Sequence, residues 1–148
     1  MGQILNLKIY DKEIYKRVGK TVMLMEGDYD ERHFVIVRHE CGHPNAYIEV
    51  KKDDKITTEK PSKLAQEYGF DDRYEAFSGM VHCGATYYGK AYWNPEDDRT
   101  YIGWDYGHCD DYNPNQTWQG GHKWNFTEIL MDVAHAVDGF YRDNYDDI

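Results

Sequence analysis

The chain of 148 residues has the length of one domain, and we predict a single domain over residues 1–148. It carries 27 Asp and Glu against 17 Lys and Arg, a formal charge of −10 that disfavours direct binding to nucleic acid or to an anionic membrane. No apolar run approaches the roughly 18 to 20 residues needed to cross a bilayer, and residues 1–10 lack signal-peptide features, so we expect a cytoplasmic protein without a membrane partner.

Tyrosine and cysteine usage narrows the class of protein further. Aromatic residues make up 16% of the chain, and 14 residues are Tyr. Tyrosine combines a large rigid ring with a hydroxyl, so this composition favours a protein that presents amphipathic contact surfaces. The three cysteines are an odd number in a chain expected to stay in the cytoplasm, which favours free thiols or metal ligands over a disulfide framework.

The N-terminal segment has two alternative interpretations. Its first 25 residues alternate apolar and charged positions. This pattern predicts either a strand, or a short helix over residues 11–18 followed by a strand over residues 21–25. Residues 27–31 are polar, and we expect a turn there.

A first hairpin is predicted next. Residues 33–37 are rich in β-branched side chains and predict a buried strand, and residues 46–50 alternate as a second strand would. Residues 41–45 between them are dense in turn formers. The two strands should therefore pair antiparallel.

The middle of the chain predicts a loop, a short helix and a second hairpin. The charged residues 51–60 indicate an exposed loop, and a helix is expected over residues 62–68 between a proline and a glycine. Residues 80–88 and 100–106 carry the next strand signals. The acidic turn at residues 93–98 joins them into a hairpin.

The C-terminal helix is the clearest predicted element. After an irregular loop over residues 113–122, Asn125 stands three residues before Glu128, which is the spacing of a capping box. Apolar residues then recur at helical intervals, namely Phe126, Ile129, Leu130, Val133, Val137 and Phe140. We expect a helix over residues 125–141 and a frayed acidic tail over residues 142–148. The predicted fold is α+β, an antiparallel sheet of two or more hairpins with this helix packed on it and one bound zinc.

Histidine and cysteine cluster together along the chain. Every cysteine lies close to a histidine, in three clusters: His39, Cys41 and His43, then His82 and Cys83, then His108 and Cys109. Each cluster falls at a predicted strand end or turn, and two hairpins in one sheet would bring such ends together. Zinc takes four ligands from thiolate, neutral imidazole or carboxylate, so the clusters supply enough donors for one ion. Asp105, Asp110 and Asp111 flank His108 and are candidates for a carboxylate ligand or for the acceptor that fixes the imidazole tautomer.

Two segments resemble the motifs of a family of small proteins common in phages and prophages. Residues 81–89 read V-H-C-G-A-T-Y-Y-G, where the family reads V-H-G-G-L-T-Y-S-G. Residues 101–111 read Y-I-G-W-D-Y-G-H-C-D-D, where the family reads W-I-G-F-D-C-A-H-x-G-D. Residues 43–48 loosely match an earlier H-x-x-G-Y-V segment, and the resemblance extends from there to the terminal helix.

The resemblance implies a site of three imidazoles and one carboxylate, carried over to His43, His82, His108 and Asp105. The cysteines are placed differently from the family, because Cys83 stands at a family glycine and a tyrosine stands at the family cysteine. A thiolate ligand therefore stays an alternative. The alternate donors are Cys41, His39, Cys83 and Cys109.

The phage setting implies a counter-defence role, that of a metal-containing anti-CRISPR inhibitor of a type II-A effector nuclease. In this hypothesis a structural zinc holds the loops in place, while an acidic, Tyr-rich surface binds a basic face of the nuclease in the host bacterial cytoplasm and blocks the loading of DNA. The oligomeric state stays open. Contact side chains are expected in exposed loops, at Asp97, Asp98, Asp110, Asp111 and Tyr112.

Two other functions are alternatives to this binding inhibitor, which we expect not to be an enzyme. A zinc hydrolase would use three protein ligands, an activated water and Glu40 or Asp110 as base, although the chain has no H-E-x-x-H or comparable catalytic spacing. A protein that sequesters a nucleotide signal would stack the base on Trp93, Trp104 or Tyr88. The acidic charge of the chain opposes phosphate binding.

Overall fold

The computed structural model describes residues 2–118 and 120–145 and has an α+β fold. Its strands and longer helices are β1 (Ile4–Ile9), β2 (Val22–Tyr29), β3 (Arg32–Arg38), β4 (Pro44–Val50), α1 (Lys63–Tyr68), β5 (Tyr87–Lys90), β6 (Thr100–Asp105) and α2 (Phe126–Tyr145). Two short 3-10 helices cover Lys55–Thr58 and Arg73–Ala76. The strands form one antiparallel sheet in the order β1-β2-β3-β4-β6-β5.

Both predicted hairpins are present in this sheet. Strands β3 and β4 pair with Ile36 opposite Ala46, and strands β5 and β6 pair with Tyr88 opposite Ile102. Pairing of β4 with β6 joins the two hairpins into one sheet. The sheet prediction is therefore confirmed in its centre.

The N-terminal third excludes the predicted alternative with a short helix. Residues 11–18 form no helix, and residues 27–29, predicted as part of a turn, continue β2. The turn is confined to Asp30 and Glu31, whose φ angles of 50° and 69° are those of a tight two-residue hairpin loop. The pairing register shifts between Leu5 and Lys8 in β1 and between Met23 and Met25 in β2, as at a β-bulge.

The strand predicted over residues 80–88 is correct only at its end, because β5 begins at Tyr87. Cys83 and Gly84 have φ angles of 55° and 85°, and Gly84 N donates to Val81 O at 3.1 Å to close a turn. Glycine adopts this conformation readily, whereas a residue with a side chain rarely does. This turn places His82 and Cys83 immediately before β5.

Helix α2 begins with the predicted capping box. The Asn125 side chain accepts a hydrogen bond from Glu128 N at 2.9 Å, and the Glu128 carboxylate accepts one from Asn125 N at 3.1 Å. The helix extends to Tyr145, so part of the predicted frayed tail is helical, and residues 146–148 lie outside the described residues. Its buried positions are Ile129, Val133, Ala136, Val137, Gly139 and Phe140. No helix among the described residues is both long and apolar enough to span a bilayer.

Apolar clusters cover both faces of the sheet. The larger one lies under α2 and contains inward side chains of β3, β4 and β6 together with the helix stripe. The smaller one contains Val35, Val37, Tyr47 and Tyr101 and is covered by the segment around Trp93. Burial on both faces explains why β3 is a continuous apolar run in sequence.

A charged loop and helix α1 follow β4. Helix α1 has its expected ends, since Ser62 Oγ accepts from Ala65 N at 3.1 Å and Gly69 adopts the left-handed conformation. The charged loop before it is mostly exposed, as predicted, apart from Asp54 and Ile56. Asp54 is 2% exposed and forms an ion pair with Arg32 across the end of the sheet.

Candidate metal centre

The candidate metal centre lies where the turn before β5 meets the segment after β6. These strands are antiparallel neighbours, so residues that precede β5 lie beside residues that follow β6. A hydrogen bond from Thr86 N to Gly103 O (2.8 Å) and one from Thr86 Oγ1 to Asp105 (3.3 Å) extend the pairing. The topology thereby brings His82 and His108 together although they are distant in sequence.

Three potential metal donors converge at this point. His82, Cys83 and His108 each offer one ligand atom, and these atoms all lie within 4.8 Å of one another. Nδ1 of His108 is buried and makes no hydrogen bond. A buried polar atom without a partner is destabilising, and a metal ion would satisfy it. Imidazole and thiolate are ligands of zinc, so the donor set fits that ion.

Asp111, whose side chain is 1% exposed, joins the two histidines. Its Oδ2 accepts from His82 Nε2 at 2.9 Å and from His108 N at 3.0 Å, and its Oδ1 accepts from Trp124 Nε1 at 2.8 Å. Burial alone raises the pKa of the Asp111 carboxyl, but these hydrogen bonds outweigh it and hold the pKa below its usual value. Asp111 is therefore a buried anion beside the grouped donors.

Cys83 is the exposed member of the group. Desolvation and the negative charges of Asp111, Asp105 and Asp110 raise the pKa of its thiol. A thiol in this field keeps its proton unless a cation is bound, and a dication would reverse the effect because it stabilises the thiolate. The acidic surroundings thus disfavour a free reactive thiolate at Cys83.

Aromatic rings fix the orientation of the His82 imidazole. The Tyr106 ring stacks on it with a centroid distance of 5.0 Å and an interplanar angle of 3°, and the Trp124 ring lies 4.5 Å away. The Tyr106 hydroxyl accepts from Trp104 Nε1 and donates to Asp132. The imidazole is therefore held by packing and by Asp111 on its Nε2 side.

The structure brings some of the predicted ligands together. His82, His108 and the alternate donor Cys83 form the group. Asp105 lies at its margin, with Oδ1 3.6 Å from His108 Nδ1 and accepting a hydrogen bond from Gly107 N at 3.0 Å. A ligand role for Asp105 stays a prediction.

The remaining predicted donors lie outside the grouped atoms of the described residues. The His43 ring stacks on His39 at 5.0 Å with an interplanar angle of 12°, and it covers Gly107, where an added Cβ would lie 2.6 Å from the ring. Cys41 is exposed and donates its backbone N–H to His39 Nδ1 at 3.2 Å. Cys109 is also exposed. The cluster of His39, Cys41 and His43 is therefore separate from the grouped donors.

The predicted partner-binding residues differ in exposure. Asp98 and Asp110 are exposed, and Tyr112 is partly exposed. The Asp97 side chain is only 10% exposed. The prediction that Asp111 is an exposed contact residue is wrong, because two histidines and an indole cover its carboxylate. Of the five predicted contact residues, only the side chains of Asp98 and Asp110 are exposed acidic groups.

The candidate stacking rings of the nucleotide hypothesis are mostly inaccessible. Trp104 is 1% exposed and Tyr88 is 8% exposed, so neither can receive a base on its face. Trp93 is partly exposed, but its ring packs on Tyr47 at a centroid distance of 4.2 Å. Two of the three rings on which the nucleotide hypothesis depends are therefore buried.

Sequence reasoning missed two residues that shape the site. Trp124 reaches Asp111 because backbone pairing between Asp111 and His122 folds the loop back toward the start of α2. Tyr106 follows β6 and stacks on His82. The only available signal was the presence of large aromatic residues next to a predicted ligand and a predicted helix start.

Comparison with protein-family models, with curated proteins and with solved structures finds no match to this chain. The resemblance to phage proteins stays a prediction. The functional inference therefore rests on the geometry and chemistry of the residues described above.

Proposed function

We propose that this chain is a zinc-stabilised inhibitor that binds a type II CRISPR effector nuclease of a bacterial host stoichiometrically and obstructs the loading of target DNA. The observation that carries the proposal is the group of His82, Cys83 and His108, which fits a structural zinc beneath an acidic loop. The motif resemblance suggests the phage setting. The charge of the chain suggests the mode of recognition.

The loop after His108 connects the metal group to candidate contact residues. Asp110 and Tyr112 follow His108 closely, and hydrogen bonds from His122 N to Asp110 O (2.9 Å) and from Tyr112 N to His122 O (3.0 Å) fold the loop back. The buried side chain of Asp111 anchors the same loop to His82 and Trp124. A zinc ion at its base would fix the conformation that a partner recognises.

The acidic surface supports a basic protein partner. A net charge of −10 repels DNA but attracts the basic channel of an enzyme that binds nucleic acid. Glu96 and Asp98 are exposed at one end of β6, and Asp110 is exposed past the other end. The strand spans about 20 Å, so a partner that contacts both ends must present a broad surface.

The donor arrangement supports binding over the hydrolase alternative. A catalytic zinc keeps an open position for water and has a base nearby. Glu40, one candidate base, lies between His39 and Cys41, which are outside the grouped donors. Asp111 supplies a further carboxylate that contacts both histidines, so this part of the chain offers as many donors as a closed structural site needs.

Titration of a guide-loaded type II-A effector with the purified protein tests this function. We expect DNA binding and cleavage to be lost at about one inhibitor per effector, and the complex to weaken as ionic strength rises. Inhibition far below one equivalent would indicate turnover and contradict the proposal. Failure to bind the effector would also contradict it.

Charge-reversal variants locate the contact surface. Asp98→Lys and Asp110→Lys change exposed carboxylates at the two ends of β6, and Glu67→Lys makes the same change at an exposed position of α1 as a control. We expect at least one of the first two to slow association several-fold while the control associates normally. Equal rates for all three variants would argue against charge-guided binding through these loops.

A further inference from the structure

The carboxylate of Asp111 and the thiol of Cys83 both lie close to the His82 ring. Asp111 Oδ2 is 2.9 Å from His82 Nε2. Cys83 Sγ is 3.7 Å from that same nitrogen and 4.0 Å from Nδ1. The thiol is thus nearly equidistant from the two ring nitrogens, and it is the carboxylate contact that would place a shared ion on the Nε2 side.

Two of the distances among these atoms are close to those of a zinc tetrahedron. Zinc lies about 2.0–2.2 Å from nitrogen or oxygen ligands and about 2.3 Å from sulfur, so neighbouring ligand atoms of a regular tetrahedron are about 3.3–3.6 Å apart. Cys83 Sγ is 3.7 Å from His82 Nε2, and Asp111 Oδ2 is 3.4 Å from His108 Nδ1. The third distance, 2.9 Å from Asp111 Oδ2 to His82 Nε2, is that of a hydrogen bond, and an ion bound by both atoms would replace its proton and separate the atoms further.

An outer role for Asp111 fits the geometry less well. A carboxylate that only orients a metal-bound imidazole contacts the ring nitrogen that is remote from the metal. Here one oxygen of Asp111 lies 2.9 Å from His82 Nε2 and 3.4 Å from His108 Nδ1, so it is close to a ring nitrogen of each histidine. The second oxygen is held by Trp124, so the indole takes the orienting role.

We propose that Asp111 is the fourth zinc ligand, which completes a closed site with His82 Nε2, Cys83 Sγ and His108 Nδ1. This inference rests on the zinc of the proposed function and deepens it, because four protein ligands leave no position for a reactive water. The ion then joins the turn before β5 to the loop after β6. Through Trp124 it also joins that loop to the start of α2.

Cobalt substitution tests the closed site in the wild-type protein. Cobalt(II) bound by four ligands, one of them a thiolate, gives intense visible absorption and a near-ultraviolet charge-transfer band. We expect both bands, and we expect no spectral change on addition of azide, because a closed site has no exchangeable ligand. A cobalt spectrum that azide shifts would overturn the proposal.

Variants identify the fourth ligand. Asp111→Ala should lower zinc affinity more than about 100-fold, beyond the 10–100-fold loss typical of an outer acceptor, and should make the cobalt spectrum sensitive to azide. The exposed Asp110→Ala is the matched control that should keep the wild-type spectrum, and Asp105→Ala tests the rival carboxylate, which should also keep it. Loss of the spectrum in Asp105→Ala together with its retention in Asp111→Ala would assign the ligand to Asp105. That result would leave the inhibitor proposal intact, since the inhibitor is tested by the effector titration.

Discussion

Replacement of Asp54 by alanine removes one half of a buried ion pair that joins three parts of the fold. Asp54 receives hydrogen bonds from Arg32 Nη1 (2.6 Å) and Nη2 (2.5 Å), from Lys51 N (2.6 Å) and from Asn144 Nδ2 (2.9 Å). The Arg32 and Asp54 side chains are 2% and 3% exposed. The variant therefore leaves a guanidinium ion buried against the Phe140 ring without its counter-ion.

The expected loss of stability is about 3–5 kcal/mol, the usual effect of breaking a buried pair on one side only. A domain of this length has a total stability of roughly 7–22 kcal/mol, so the variant should lose a large fraction of it. Its melting temperature should fall by about 10–15 °C. The exposed neighbour Asp53 is the matched control, and Asp53→Ala should change stability by less than about 0.5 kcal/mol.

Urea unfolding followed by circular dichroism measures the effect as a shift of the midpoint at constant slope. The double variant Arg32→Met and Asp54→Leu should recover much of the loss, because it removes the unpaired charge as well. A loss below about 1 kcal/mol in Asp54→Ala, or a double variant less stable than the single one, would refute the assignment of a desolvated ion pair.

Three further predictions concern pH, a cap and a close approach. Burial raises the pKa of the Asp54 carboxyl, but hydrogen bonds from Arg32 and Asn144 outweigh it and keep that pKa below its usual value. The pair therefore stabilises the fold fully above about pH 4 and loses its effect as the pH falls through the lower folded pKa, so acid titration of wild type and Asp54→Asn should show their stability difference shrinking in that window. Asn125→Ala removes the cap of α2 and should cost about 1 kcal/mol in urea unfolding. Gly139→Ala would place a Cβ 2.3 Å from the Gly79 Cα, so the helix must move away, and a loss of about 1–3 kcal/mol is expected in the same assay.

The elements that were predictable from sequence are those whose signal is local. The strand pair β3 and β4 is marked by β-branched runs around turn formers, and α2 is marked by its capping box and apolar stripe. Residues 80–86 belong to a segment whose sequence pattern predicts a strand. The positive φ angles at Cys83 and Gly84 override this pattern, and no rule of periodicity reveals a positive φ at a cysteine.

The candidate site was predictable in part for the same reason. His82 and His108 were found because each stands beside a cysteine near a strand end, and Cys83 was retained as an alternate donor. The sequence marks Asp111 both as a candidate carboxylate beside His108 and as a contact residue, the latter because charge and aromatic area combine in a loop predicted to be exposed. Its burial depends on Trp124, which approaches through long-range loop pairing that the sequence does not encode in any local spacing.

Metal analysis of the purified chain tests the central claim most directly. Native mass spectrometry and elemental analysis should find one zinc per chain in the wild type, and His82→Ala and His108→Ala should each lose the metal and melt at a lower temperature. His135→Ala, which changes an exposed histidine of α2, should keep both the metal and the melting temperature. A wild-type protein without metal after zinc reconstitution, or full zinc content in both site variants, would contradict the account.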